Sequence, residues 1–135
     1  MKTLLLLLAF AFSISSITFS CKKKDAEKTT AQKLQNKWTF IDIIDNDHYA
    51  GADHVITLKA NAGDYLDFRT NNKVYSRFQS QPDTSDYKLL GDTKVVFDNY
   101  DTLTIQTLTD NTLKMYAKDV TSTTIYEEFT YNLNR

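Results

Sequence analysis

Asp42 and Glu127 are the residues of this chain whose placement first suggests chemistry. Asp42 shares the alternation phase of Trp38 and Phe40, and Glu127 that of Phe129 and Tyr131. If the first and last strands pair, both carboxylates point inward and lie near each other. Buried like charges raise at least one pKa, the arrangement of an acid/base or cation-binding site. A bulge or a strand end would instead turn one or both outward. Glu127 and Glu128 are neighbours on one strand and point to opposite faces, so they form no catalytic pair.

His48 and His54 are the only histidines, and both fall within DNDHYAGADH at residues 45–54, which reads as a long connection. With Asp45, Asp47 and Asp53 they offer ligand atoms, but the spacing fits no standard zinc or calcium pattern, so no metal is assigned. A barrel would carry its lid in this connection, which makes Tyr49 and His54 candidate mouth residues. No Gly-X-Ser-X-Gly, His-Glu-X-X-His or Walker-type loop occurs. The chain therefore offers no catalytic residues and no cofactor site, and it reads as a non-enzyme.

The elements that position these residues are strands. Alternating apolar and polar residues mark strands at about 38–44, 54–60, 64–70, 73–78, 85–90, 93–98, 102–108, 112–118 and 124–133. Short turn signals separate them, among them Asn71-Asn72, Gly91-Asp92 and Asp110-Asn111. No helical pattern lies between them, so the expected fold is all-β: an antiparallel up-and-down meander of eight to nine strands. Closure into a barrel removes the exposed edges of such a meander. Thr29 and Thr30 are placed to cap a short helical turn through Leu34, which would plug one end. The inward phase includes Trp38, Phe40, Ile56, Leu58, Phe68, Tyr87, Leu103, Leu113, Met115, Phe129 and Tyr131. Of these, Phe68, Tyr87, Met115 and Tyr131 join Tyr49, His54, Asp42 and Glu127 as candidate ligand-binding residues. Eight strands enclose a space that side chains fill or that holds one small ligand, and both outcomes stay open. Tyr65, Tyr75, Tyr116 and Tyr126 fall on the outward phase.

The first 20 residues form a short basic start and an apolar run, too short for a bilayer-spanning helix and suited to a signal peptide. Cys21 is the only cysteine, so no internal disulfide forms, and it follows Ser20 directly at the end of this run. That junction resembles a bacterial lipoprotein processing site, which implies that Cys21 is acylated and becomes the first residue. By the same resemblance Lys22 implies the outer membrane, with the periplasmic or outer face left open. Residues 21–33 read as a lipidated flexible tether and 34–135 as the barrel domain. Residues 22–37 hold six lysines against Asp25 and Glu27, a net of +4, whereas residues 38–135 hold nine basic against fifteen acidic residues, a net of −6. An acidic body argues against nucleic-acid binding, and a basic leader suits anionic headgroups.

The segments LQNKW at 34–38, DYLDFRTNNKVY at 64–75, YKLLGD at 87–92, TIQTLTDNTLKMY at 104–116 and EEFTYNLNR at 127–135 carry a likeness. Together they resemble the lipocalin-like domain of small Bacteroidetes lipoproteins. The resemblance implies a structural pair in which Arg135 packs across Trp38, and it implies no established activity. The expectation is a membrane-anchored lipoprotein of the cell envelope whose barrel binds a small apolar or amphipathic molecule. The alternative is a structural or protein-interaction module with a filled barrel.

Overall fold

The computed structural model describes residues 26–135. The expected signal peptide, Cys21 and the first part of the tether lie outside the described residues. One short helix, α1 (Thr30–Leu34), precedes nine strands: β1 (Lys37–Tyr49), β2 (Ala52–Lys59), β3 (Tyr65–Phe68), β4 (Lys73–Phe78), β5 (Gln81–Leu90), β6 (Lys94–Phe97), β7 (Asp101–Leu108), β8 (Thr112–Ser122) and β9 (Ile125–Asn134). All pairings are antiparallel, and β1 bonds β9 to close an eight-stranded barrel with β2 as the additional strand. The all-β closed meander is the fold that the alternation predicts.

Five residues are too few for a helix to persist alone, so α1 rests on caps and packing. Thr29 Oγ1 accepts the Gln32 amide at 3.2 Å, and Gln32 Oε1 accepts the Thr29 amide at 2.9 Å. Leu34 is fully buried, and its carbonyl accepts the Trp38 indole N–H at 3.0 Å. Helix α1 thus seals one end over Trp38, Phe68, Val95, Leu113 and Leu133, each 2% exposed or less. This base is packed solid.

β2 and β3 behave as one interrupted strand along the same edge of β1. β3 faces Lys37–Thr39 and β2 faces Asp42–Tyr49. The excursion at residues 60–64 between them is held by Asp64, 1% exposed, whose Oδ2 accepts the amides of Asn61 at 2.9 Å and Gln79 at 2.8 Å. Gly63, at φ 84°, supplies the left-handed residue that this excursion needs. Opposite it, the β1–β9 register slips between Phe40 and Asp42, a bulge that resets the alternation. After it, Ile43 continues the inward phase of Phe40, and Asp42 leaves it.

Three expectations are corrected. Residues 45–54 are not a long connection: Ala50 and Gly51, at φ 53° and 78°, make a two-residue turn, and the flanking residues complete β1 and β2. Positive φ at both centres matches the twist of a hairpin. β5 begins at Gln81 across the turn Gln79-Ser80, four residues before the expected start. Pro82 is tolerated because β6 pairs only Tyr87–Leu90, leaving the Pro82 side unpaired. Ile56 is not inward core but 54% exposed, because β2 runs beyond the barrel wall.

Candidate functional site

At the end opposite α1 the barrel opens. β7 and β8 pair only as far as Thr104 and Tyr116, and β1 leaves β3 after Thr39. The upper parts of β2, β1, β9 and β8 therefore form a four-stranded wall that stands apart from β4 to β7. The space between holds a cavity of about 720 Å³ lined by Phe40, Ile43, Phe78, Phe97, Leu103, Met115, Phe129 and Tyr131, among others. This volume suits a small organic molecule.

Register sorts the inner face of the wall into rows, because residues directly opposite each other share a face. The lowest row reads Leu58, Ile43, Tyr131 and Met115 across β2, β1, β9 and β8. The next reads Ile56, Asp45, Phe129 and Ala117. The top row reads His54, Asp47, Glu127 and Asp119. Apolar chemistry at the floor gives way to carboxylates at the mouth, about 7 Å per row.

The carboxylates crowd one another. Ligand oxygens of Asp45, Asp47 and Glu127 lie within 4.8 Å of each other. Burial and the charges of Asp47, Asp45 and Asp119 push the Glu127 carboxyl above its ordinary pKa. Burial and Asp47 do the same for Asp45, whose Oδ1 is buried without a hydrogen-bond partner. Tyr131, below them, has its phenol pushed up by burial and by Asp101, Asp45 and Glu127, so it stays a neutral donor. Asp83, Asp98 and Asp101 line the cavity from the opposite wall. The one cation among the lining residues, Lys118, turns its ammonium to the outer face, 2.9 Å from Glu128 Oε1 and 3.5 Å from the Tyr126 ring centre. Tyr116 joins the same outer network, donating to Glu128 Oε1 at 2.7 Å, and burial with that carboxylate pushes its pKa up to about 12.

The residues singled out from the sequence scatter across this geometry. Met115 and Tyr131 line the cavity. Phe68 and Tyr87 lie beneath it in the base, edge to face at 5.0 Å, with the Tyr87 hydroxyl donating to the Arg69 carbonyl at 2.9 Å. Tyr49 and His54 stack at 4.0 Å on the β1–β2 hairpin, and neither they nor Glu127 line the cavity.

The Asp42–Glu127 pair does not form. Register places Asn132 opposite Asp42 and Asp47 opposite Glu127. The bulge turns Asp42 to Lys59 and Asn132, each bonded at 2.8 Å, and the Lys59 bond leads in lowering its pKa. The histidine-aspartate constellation is also divided: His48 bonds Asp53 at 2.6 Å and stacks on Tyr126 on the face opposite Asp45 and Asp47.

Sequence reasoning left out Asp119 beside Glu127, and Asp83 and Asp101 across the mouth, and it grouped Asp45 and Asp47 with the histidines rather than with Glu127. The signal for these two was the Ile43 phase of the first strand, which continues through Asp45 and Asp47.

The chain matches no protein-family model, no curated protein and no solved structure.

Proposed function

We propose that the protein is a lipocalin-like outer-membrane lipoprotein of the cell envelope, acylated at Cys21, whose barrel binds a small amphipathic molecule with a cationic head. The observation that carries the binding reading is the graded cavity, lined by apolar Ile43, Met115 and Phe129 and by acidic Asp83, Asp98, Asp101 and Asp119, with Asp47 and Glu127 in register beside Asp119. An alkyl tail fits the floor, and an ammonium or guanidinium at the mouth relieves the repulsion among Asp45, Asp47, Asp119 and Glu127, where no cation among the described residues acts on Glu127. Tyr100, 87% exposed at the rim, offers an aromatic face to the same cation. The lipid anchor rests on the sequence junction at Ser20-Cys21.

Three probes with one tail separate the parts of this reading. Calorimetric titration of the intact protein with decylammonium, decanol and decanoate should give affinities in that order, with ammonium about tenfold or more tighter than carboxylate. Equal affinities would remove the cationic head and leave an apolar site. Binding of calcium chloride alone, with no decylammonium binding, would make the mouth a metal site instead. No binding of any probe would leave the alternative, a structural or interaction module. A Cys21→Ala chain should pass from the membrane fraction to the soluble fraction; retention in the membrane would overturn the anchor.

A further inference from the structure

β2 bonds β1 along one edge and no strand along the other among the described residues. Strand edges of this kind are normally blunted by proline, a bulge or a charge in the middle of the run. From His54 to Leu58, β2 carries none of these, and Val55 and Ile56 are 62% and 54% exposed.

The direction of the free backbone groups follows from one bond. The Ala60 amide donates to the Ile41 carbonyl at 3.2 Å, so the even-numbered residues of β2 turn their backbone toward β1. Asp53, Val55, Thr57 and Lys59 therefore turn their N–H and C=O groups to the open side. We propose that this edge pairs with the same edge of a second copy, antiparallel about a two-fold axis at Ile56.

This register is selected by charge. Pairing about Ile56 sets Asp53 opposite Lys59 of the second copy and Val55 opposite Thr57, all through residues whose backbone groups face outward. A shift by one residue about either neighbouring axis places Asp53 opposite Thr57 or Lys59 opposite Val55 and loses both charge matches. The side chains of Asp53 and Lys59 are 58% and 73% exposed, free to reach across while keeping their bonds to His48 and Asp42. Ile56 then meets its own copy on the inner face, in a pair without backbone bonds where side chains approach most closely. A second copy is the occupant that this pattern fits, because the acidic and basic ends are related by the strand's own symmetry. The contact is one strand wide, smaller than a permanent interface, so the dimer should be weak and dependent on concentration.

Sedimentation of the intact protein from about 10 µM to about 1 mM should show a rising dimer fraction. Thr57→Pro removes an outward N–H without touching the β1 ladder, and should abolish the dimer while circular dichroism stays unchanged. Asp53→Lys alone and Lys59→Asp alone should each weaken dimerisation at least tenfold, and the double exchange should restore it. Ile56→Cys should give an oxidised dimer well above the wild-type background, whereas Val120→Cys should not. A monomer throughout the concentration range, a double exchange that stays monomeric, or equal crosslinking at positions 56 and 120 would each overturn the proposal.

Discussion

The guanidinium of Arg135 lies over the indole of Trp38, 5.6 Å from the ring centre, and joins the last residue of the chain to the start of the first strand. Trp38 is fully buried and also donates to the Leu34 carbonyl, so one side chain ties α1, β1 and the C-terminus together. The Arg135 amide is bonded as well, to the Asn111 carbonyl at 3.1 Å. The base of the barrel is therefore where deeply buried side chains gather, among them Leu34, Trp38, Val95, Leu113 and Leu133.

Replacing Trp38 with Ala should cost about 3–5 kcal/mol, the range for emptying a large aromatic site in a packed core. Arg135→Ala should cost about 0.5–1 kcal/mol, because its guanidinium acts from the exposed side. Urea denaturation of both variants measures the difference, and equal losses would contradict the packing order drawn here.

Glu127 should make the protein less stable as pH rises. Its folded pKa is raised by burial and by Asp47, Asp45 and Asp119, so above the ordinary value near 4.5 the folded chain holds a proton that the unfolded chain has released. Stability then falls as pH climbs from that value through the raised one. Glu127→Gln removes a like charge facing Asp47 and Asp119 and should stabilise by about 0.2–1 kcal/mol near pH 7. His54, the remaining titratable group in the row, keeps its place opposite Asp47. Melting curves near pH 4 and pH 7 should show the gain only at the higher value.

Asp64 should behave in the opposite sense. Burial alone would raise its pKa, but the amides of Gln79, Asn61 and Ser80, helped by Arg77, outweigh that and lower it below 3.8. Its stabilisation is present above that ordinary value and is lost as pH falls through the lowered one. Asp64→Asn should reduce the urea midpoint at neutral pH, with the deficit narrowing in acid. A deficit independent of pH would mean that shape, not charge, holds the excursion at residues 60–64.

Ala117→Trp places a large ring in the middle row of the cavity wall, where Ala117 now stands beside Phe129. Decylammonium affinity should fall about tenfold or more while the melting temperature changes little, since the ring enters open space rather than packed core. Calorimetry with the same probe checks it.

All nine strands were legible from alternation, because the period of two needs only nearest neighbours along the chain. The β1–β2 hairpin was obscured by its turn: Ala50-Gly51 lacks the Asn or Asp that usually announces two left-handed residues in succession. Pro82 hid the first part of β5 for a similar reason, since its acceptability depends on where β6 stops. The acidic mouth was least legible. Asp45 and Asp47 reach the inner face only because of the bulge after Phe40, and they meet Glu127 and Asp119 only through the closure register. The same bulge removed Asp42 from the site that alternation alone had assigned to it. Trp38 and Arg135 were found by resemblance, not by spacing, as nothing local relates residues 38 and 135.

The chain enters the barrel at its sealed base, where α1 caps Trp38 and Lys28 reaches Asp110 in the β7–β8 turn at 2.8 Å. The hairpin tips at Ala50-Gly51 and Gln79-Ser80 lie at the other pole. A leash attached upstream of Thr29 would hold the molecule like a cup by its foot, with the aperture turned from the bilayer. Cargo would then be traded with the surrounding water, and lipid composition should leave its exchange rate unchanged.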